Sequence, residues 1–176
     1  RQLIIGKFYT SSDLAFYNQG EKIPNIVVTN INSSIDSVLL PTMAKEQDDK
    51  GRVKSMVRRS IQISTFIMAP LMIGLASISE PLIRLLLKEV WLPAVPFLRI
   101  FCICFMFYPI HTANLNAIKA LGKSDIFLRI EVIKKIIGII ALVVTMNISV
   151  KAMAYSLLVT SVLSQIINSW PNRKLL

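Results

Sequence analysis

The sequence predicts an all-α, polytopic transmembrane helix bundle. Hydrophobic residues make up 53% of the 176-residue chain and charged residues only 17%, and the mean hydropathy is +0.58. The apolar residues form runs long enough to cross a bilayer, which a nucleic-acid-binding protein with the same net charge of +10 would not need. We therefore expect the lipid bilayer, and no nucleic acid, as the first partner of the chain.

About five spans and one short interfacial helix are expected. A hydrocarbon core about 30 Å thick requires about 20 largely apolar helical residues. Three segments satisfy this directly, a fourth does so if its lysines extend to the interface, and a fifth is polar for a span. The expected spans are residues 23–44, 60–79, 96–118, 126–149 and 152–171, all within a bundle of residues 23–176, and residues 1–22 are expected to hold the end of a preceding span and an outer loop.

The segment 80–90 has the pattern of an interfacial helix. Three charged residues recur at every fourth position, while leucine and isoleucine occupy the remaining faces. Pro93 and Pro96 are expected to end this helix before the next span begins. Pro70 and Pro109 lie inside expected spans, where each removes a backbone donor and can introduce a kink.

The distribution of Lys and Arg predicts the orientation. Residues 45–59, residues 119–135 and the tail with Arg173 and Lys174 together hold thirteen of the 20 basic residues. The connections on the other side hold seven. By the positive-inside rule, residues 45–59 and the C-terminus are expected in the cytoplasm.

No catalytic residue, metal site or cofactor is expected. His111 is the only histidine, and a single histidine is more often a hydrogen-bonded packing residue than a base or ligand. No two glycines lie within five residues of each other, so phosphate-binding loops and nucleophile turns are missing from the sequence. Asp48 and Asp49 are adjacent in a charged segment, which is typical of a solvated surface.

A polar stripe on the first span is the main candidate for a substrate cavity. Asn25, Thr29, Asn32 and Asp36 follow helical spacing, so they are expected on one face. A carboxylate within a span is costly and is therefore a functional candidate by default. Interhelical hydrogen bonding that only holds the bundle together is the alternative interpretation.

A similar stripe occurs in the last span, where polar residues repeat every four positions. Its members are Ser156, Thr160, Ser164 and Asn168. Polar faces of this kind do not point at lipid without a large cost. The stripe indicates either hydrogen bonds between helices or a water-accessible cavity.

Basic residues near membrane depth are the second group of candidates. Arg99 and Arg129 suit bidentate contact with a phosphate, so a cavity for a diphosphate-bearing lipid would favour them. Lys134 and Lys135 could serve in the same way. Anchoring at the membrane interface is the alternative for all four.

The order of segments resembles a known family. The segment GKFYTSSDLAFYNQGEKIPN is similar to the end of a span and its outer loop, and INSSIDSVLLPTMAKEQDD resembles the polar helix that follows. The segment MAPLMIGLASISEPLIRLLLKEVWLPAVPFLRI is similar to a proline-kinked span, interfacial helix and re-entry, with ALGKSD and NSWPNRKLL further on. These motifs resemble flippases of the Wzx type, in the multidrug/oligosaccharidyl-lipid/polysaccharide exporter superfamily.

The resemblance implies the C-terminal part of a two-bundle exporter in the inner membrane. It implies flipping of a lipid-linked oligosaccharide for lipopolysaccharide or other surface polysaccharide, with the N-terminal bundle of the same protein as a partner. Alternating access would move the substrate without covalent chemistry. The alternatives are a cation-coupled drug exporter of the same superfamily, and a membrane-embedded glycosyltransferase or scaffold of the same pathway.

Overall fold

The computed structural model describes the backbone of residues 1–175 and the side chains of residues 1–170. Arg173 and Lys174 of the basic tail lie outside the described side chains. All regular secondary structure in the described part is helical, which confirms the all-α prediction. The elements are α1 (Gln2–Phe8), α2 (Ser11–Lys45), α3 (Lys50–Ser77), α4 (Ser79–Leu87), a 3-10 helix (Glu89–Ala94), α5 (Val95–Met106), α6 (Tyr108–Ala120), α7 (Ser124–Thr145) and α8 (Val150–Leu175).

Three helical segments of the described chain are long and apolar enough to cross a membrane. They are Lys50–Ser77, the consecutive helices of Glu89–Ala120, and Val150–Trp170, and they coincide with three of the five expected spans. The expected span 23–44 lies within α2, of 35 residues, whereas the expected span 126–149 extends beyond α7, of 22 residues, which ends at Thr145. At a rise of 1.5 Å per residue, α7 is about 33 Å long, so its length suffices and only its charges separate it from the apolar spans.

The helix α2 begins earlier than the sequence interpretation placed it. The Thr10 hydroxyl accepts a hydrogen bond of 3.1 Å from the Asp13 backbone N–H, and the Asp13 carboxylate accepts one of 3.4 Å from the Thr10 N–H. This capping box satisfies two donors that would otherwise be unpaired, so the chain is helical from Ser11. Residues 1–22 were expected to hold the end of a preceding span and an outer loop, and the structure makes residues 11–22 part of α2.

The basic segment 45–59 is also mostly helical. The Asp49 carboxylate caps α3 by accepting a hydrogen bond of 3.0 Å from the Arg52 N–H, so the helix begins at Lys50. The connection between α2 and α3 is accordingly only four residues long, Glu46 to Asp49. A loop of that length joins neighbouring antiparallel helices. Most of the basic residues of the segment therefore lie at the beginning of α3.

The expected interfacial helix is present as α4. Arg84 forms ion pairs with Glu80, at 3.1 Å, and with Glu89, at 2.7 Å. Lys88 does not continue this face, because its φ of 71° ends the helix one residue earlier. Leu85 is 83% exposed, as expected for a helix with one apolar face towards lipid.

The third span is divided in two at Phe107. Pro109 is in the first turn of α6, where a missing N–H is tolerated, and α5 ends at Met106. The kink expected at Pro109 is thus confirmed as a break between two helices. Pro70, in contrast, lies inside α3 without ending it.

The centre of the bundle is formed by α5 and α6, which are covered by α2, α3 and α8. On one side, Tyr17 of α2 meets Phe101 of α5 edge to face, at 5.2 Å between ring centroids. On another side, Met68 of α3 and Leu98 of α5 are fully buried in a second apolar cluster. The broken third span is therefore the element on which the others pack.

Candidate functional site

The polar stripe of α2 lies in two environments. Asn25, Thr29 and Asp36 are exposed, whereas Asn32 is only 7% exposed. The Thr29 hydroxyl donates to the Asn25 carbonyl at 2.8 Å, so its hydrogen bond stays within the helix. The stripe is consequently a polar face that the described part of the chain leaves largely uncovered.

Asp36 is joined to the central helix. The side-chain Nδ2 of Asn116, on α6, donates a hydrogen bond of 2.6 Å to Asp36 Oδ1. Asn116 is 2% exposed, while Asp36 remains accessible. A carboxylate acceptor strengthens such a bond, so this pair fixes the position of Asp36 on the α2 surface.

Asn32 is buried with both polar side-chain atoms unpaired. Neither its Nδ2 nor its Oδ1 has a hydrogen-bond partner among the described side chains. Because an unpaired buried amide costs about 1 to 3 kcal/mol, buried polar groups are normally satisfied. Asn32 is therefore the point of the stripe where water or another part of the protein is expected to bind.

Arg99 occupies a different side of the bundle. Its Nε donates a hydrogen bond of 2.9 Å to the Ser79 hydroxyl at the start of α4. It lies on a groove of α3 and α5, whereas Gly20 of α2 packs against Phe97 and Leu98 near the start of α5 and against Ala94 just before it. The structure thus does not bring Arg99 together with the α2 stripe.

Arg129 is exposed on α7, which packs mainly on α8 and α6. It forms no ion pair with another described residue. Lys134, on the same helix, pairs with Glu131 and has a side chain only 9% exposed. Of the candidate cations on α7, Arg129 is therefore free to contact an anion, whereas Lys134 is neutralised locally.

The polar stripe of α8 forms hydrogen bonds to Arg1, which precedes α1, and to α6 of the central pair. The Arg1 guanidinium donates to Ser156 Oγ at 2.6 Å and to the Met153 carbonyl at 2.7 Å. Further along α8, Asn168 pairs with His111. Interhelical hydrogen bonding, one of the two interpretations of this stripe, accounts for these contacts. His111 is also the hydrogen-bonded packing residue that the sequence indicated.

A small polar cavity lies where α8 meets the break between α5 and α6. Its volume is about 180 Å³. Gln165 donates a hydrogen bond of 2.5 Å to the Phe107 carbonyl, at the break itself. The lining residues are Cys104, Tyr108, His111, Leu157, Thr160, Ser161, Ser164 and Gln165. The break is thus supported by side chains of α8, as interrupted membrane helices require.

Sequence reasoning missed three residues that organise these sites: Arg1, Asn116 and Gln165. Arg1 precedes the first described helix, and its partners are 152 and 155 residues away. Asn116 and Gln165 find their partners 80 and 58 residues away. Separations of this size leave no local sequence pattern that identifies a partner.

The sequence of the chain is similar to that of known polysaccharide proteins. A family described as "Polysaccharide biosynthesis protein" matches residues 1–96. This match covers more than half of the 176 residues. The chain belongs to the polysaccharide biosynthesis protein family.

Individual relatives agree with this assignment. The chain is 28% identical over 70% of its length to the teichuronic acid biosynthesis protein TuaB of Bacillus subtilis (strain 168), covering 26% of that protein. It is 28% identical over 54% of its length to the succinoglycan biosynthesis transport protein ExoT of Rhizobium meliloti (strain 1021), covering 19% of it. It is 23% identical over 81% of its length to the lipopolysaccharide biosynthesis protein WzxC of Escherichia coli (strain K12), covering 29%.

The chain thus spans between about a fifth and three tenths of the length of these relatives. No solved structure shows significant similarity to it. The part matched by the polysaccharide biosynthesis protein family includes the whole α2 stripe and ends at Pro96, so Arg99 and Arg129 lie beyond it. The residues matched by the family therefore include the exposed polar residues of α2.

Proposed function

We propose that the chain forms part of the C-terminal bundle of a transporter that moves lipid-linked oligosaccharide across the cytoplasmic membrane. Its membership of the polysaccharide biosynthesis protein family supports a role in making surface polysaccharide. The ExoT relative is named a succinoglycan biosynthesis transport protein, and the WzxC relative is named a lipopolysaccharide biosynthesis protein. A helical bundle with three apolar spans in its described part is consistent with that role.

The observation that carries the proposal is the exposed polar face of α2. Asn25, Thr29 and Asp36 are uncovered in a protein whose neighbouring helices cross the membrane. An ionised carboxylate facing lipid at membrane depth costs several kcal/mol, by estimates of about 2.5 kcal/mol or more. The face is therefore best accounted for by a water-filled cavity, whose other wall would come from an N-terminal bundle of the same protein.

Within such a cavity the residues of α2 have distinct chemical roles. The amides of Asn25 and Asn32 and the hydroxyl of Thr29 can exchange hydrogen bonds with sugar hydroxyls. Asp36, held by Asn116, would accept hydrogen bonds from the sugar at a fixed position. Arg129, exposed at the cytoplasmic end of α7 in the expected orientation, would meet the diphosphate beside this face and not on it, because α7 packs on α8 and α6. Arg99 is left out because it lies on another face.

Transport in this proposal is a change of access without any covalent step. The two bundles would rock about the substrate, so that the sugar head crosses through the cavity while the lipid tail stays in the bilayer. The gain for the substrate is that its hydroxyl and phosphate groups exchange water for protein hydrogen bonds. The route of the substrate through the cavity is the same whichever energy source drives the transport.

The test is an Asp36→Asn variant of the full-length protein, in cells whose surface polysaccharide depends on it. Asparagine keeps an oxygen that can accept the Asn116 bond, so the substitution removes the charge with little change in shape. Thr145→Ala is the control, because the Thr145 hydroxyl bonds within its own helix, to the carbonyls of Ala141 at 2.7 Å and Leu142 at 3.4 Å. We expect Asp36→Asn to lower surface polysaccharide severalfold at normal protein levels, with lipid-linked oligosaccharide accumulating inside.

Two results would contradict the proposal. Full polysaccharide export by Asp36→Asn at normal protein levels would remove the carboxylate from the substrate path. Loss of drug resistance with intact polysaccharide export would instead indicate a cation-coupled drug exporter. Thr145→Ala should behave as the wild type in both measurements.

A further inference from the structure

A groove with apolar walls and one cation lies between α3 and α5. Its volume is about 400 Å³, within the range of pockets that bind small ligands. All lining residues belong to these two helices: Met72, Ile73, Ala76, Ser77, Arg99, Cys102, Ile103 and Met106. Both helices belong to segments that can cross the membrane, so the groove opens where lipid chains are present.

Arg99 is held in place at this groove. Its Nε donates to the hydroxyl of Ser79, whose side chain is fully buried. No other hydrogen bond or ion pair of Arg99 occurs within the described part of the chain, so its two Nη groups remain available. A guanidinium with a fixed plane and two free N–H groups fits two phosphate oxygens better than a lysine ammonium does.

We propose that this groove binds an anionic phospholipid of the bilayer, with an acyl chain along the α3–α5 walls and the headgroup phosphate on Arg99. The apolar wall from Arg99 to Met106 extends about 10 Å along α5, at 1.5 Å per residue. A soluble anion would make no use of this wall, whereas a lipid packs its chain along the wall and places its phosphate on the cation. Lipid binding in the groove does not depend on the proposed transport function, but the choice of a phospholipid over the transported lipid rests on it.

The choice of a phospholipid over the transported lipid follows from position. Arg99 lies on a different face of α5 from the one that contacts α2, and the groove contains no residue of the α2 stripe. A substrate moving along α2 would therefore not pass Arg99. A phospholipid reaches the groove laterally from the membrane.

The test measures lipid binding to the full-length protein by native mass spectrometry. Phosphatidylglycerol and phosphatidylcholine with the same acyl chains are added to the detergent-purified protein. We expect preferential retention of phosphatidylglycerol and a roughly tenfold loss of its binding in Arg99→Ala, with a smaller loss in Arg99→Lys. Lys22→Ala is the matched control, because Lys22 is an exposed cation outside the groove.

A second variant tests the apolar part without changing charge. Ala76→Phe fills the groove and should reduce the binding of both lipids while Arg99 is intact. Thermal stability of each variant in detergent verifies folding. Equal phosphatidylglycerol binding by wild type and Arg99→Ala would overturn the proposal. Competitive displacement of phosphatidylglycerol by lipid-linked oligosaccharide would also overturn it, because the groove would then belong to the substrate. Surface polysaccharide is measured separately, so that a failure of the proposed transport function is distinguished from a failure of the groove proposal.

Discussion

Gly20 of α2 packs so closely on α5 that a Cβ built on it would lie 2.9 Å from the backbone nitrogen of Leu98. The same Cβ would be 2.6 Å from the Cβ of Phe97 and 3.1 Å from the carbonyl oxygen of Ala94. None of these atoms is the end of a flexible side chain, so an added methyl group would have to separate the helices. Small residues allow this close approach between membrane helices, where packing replaces the hydrophobic effect as the source of stability.

Gly20→Ala is therefore expected to destabilise the bundle, by about 1 to 3 kcal/mol as in other overpacked cores. Gly74→Ala is the matched control, because its Cβ would meet nothing within 4 Å. Gly74 lies in the last turn of α3, where the change to Ala should be neutral or stabilising, by up to about 1 kcal/mol. Thermal unfolding of the full-length protein in detergent measures both. Equal behaviour of the two variants would show that α2 is free to move away from α5.

The apolar runs predicted the fold well because span length is set by bilayer thickness. The expected spans 60–79, 96–118 and 152–171 each overlap a helical segment that is long and apolar enough to cross a membrane. The start of α2 was not predicted, because residues 1–22 were assigned to the end of a span and an outer loop without a helix boundary. The signal for a helix was present in the sequence, because Thr10 and Asp13 have the spacing of a capping box.

The candidate site was less predictable, since partner choice depends on tertiary packing. Helical spacing identified the α2 stripe, but the sequence did not distinguish buried Asn32 from exposed Asn25. The link between Asp36 and Asn116 spans 80 residues and has no local signature. Arg99 was grouped with the cavity by charge alone, and the direction of its side chain on α5 separates it from α2.

The bond between Asp36 and Asn116 is expected to couple the two residues energetically. Asp36→Ala and Asn116→Ala, alone and together, form a double-mutant cycle. Because Asp36 is accessible to solvent, we expect a coupling of only about 1 kcal/mol, close to values for hydrogen bonds between membrane helices. Unfolding of the purified full-length variants gives the coupling. Strictly additive losses would mean that α2 and α6 are held together by their other contacts.

Gln165 is expected to stabilise the break in the third span. Gln165→Leu removes the donor to the Phe107 carbonyl and should destabilise the protein by about 0.5 to 2 kcal/mol. The control Gln62→Leu makes the same exchange at an exposed position of α3 and should be neutral or stabilising in lipid. Thermal stability in detergent or nanodiscs compares the two. A stable Gln165→Leu protein would contradict the role of α8 in supporting the break.

The orientation of the bundle can be tested at the two ends of α3. This helix has 28 residues and a length of about 42 Å, which exceeds the hydrocarbon thickness of about 30 Å, so its ends should emerge on opposite sides. The native thiols Cys102 and Cys104, both buried, are first replaced by alanine. Single cysteines are then placed at Lys50, where α3 begins, and at Val90, which is 76% exposed beyond α4.

The excess of basic residues beside Lys50 predicts that Lys50→Cys is protected from a membrane-impermeant thiol reagent in intact cells and becomes reactive after permeabilisation. Val90→Cys should react in intact cells, because one membrane crossing by α3 separates it from Lys50. From a cytoplasmic Lys50, the crossings by α3, by α5 with α6, by α7 and by α8 return the chain to the cytoplasm. Labelling of Lys50→Cys from outside, with protection of Val90→Cys, would show that the bundle has the opposite orientation. Arg129 would then not lie on the cytoplasmic side.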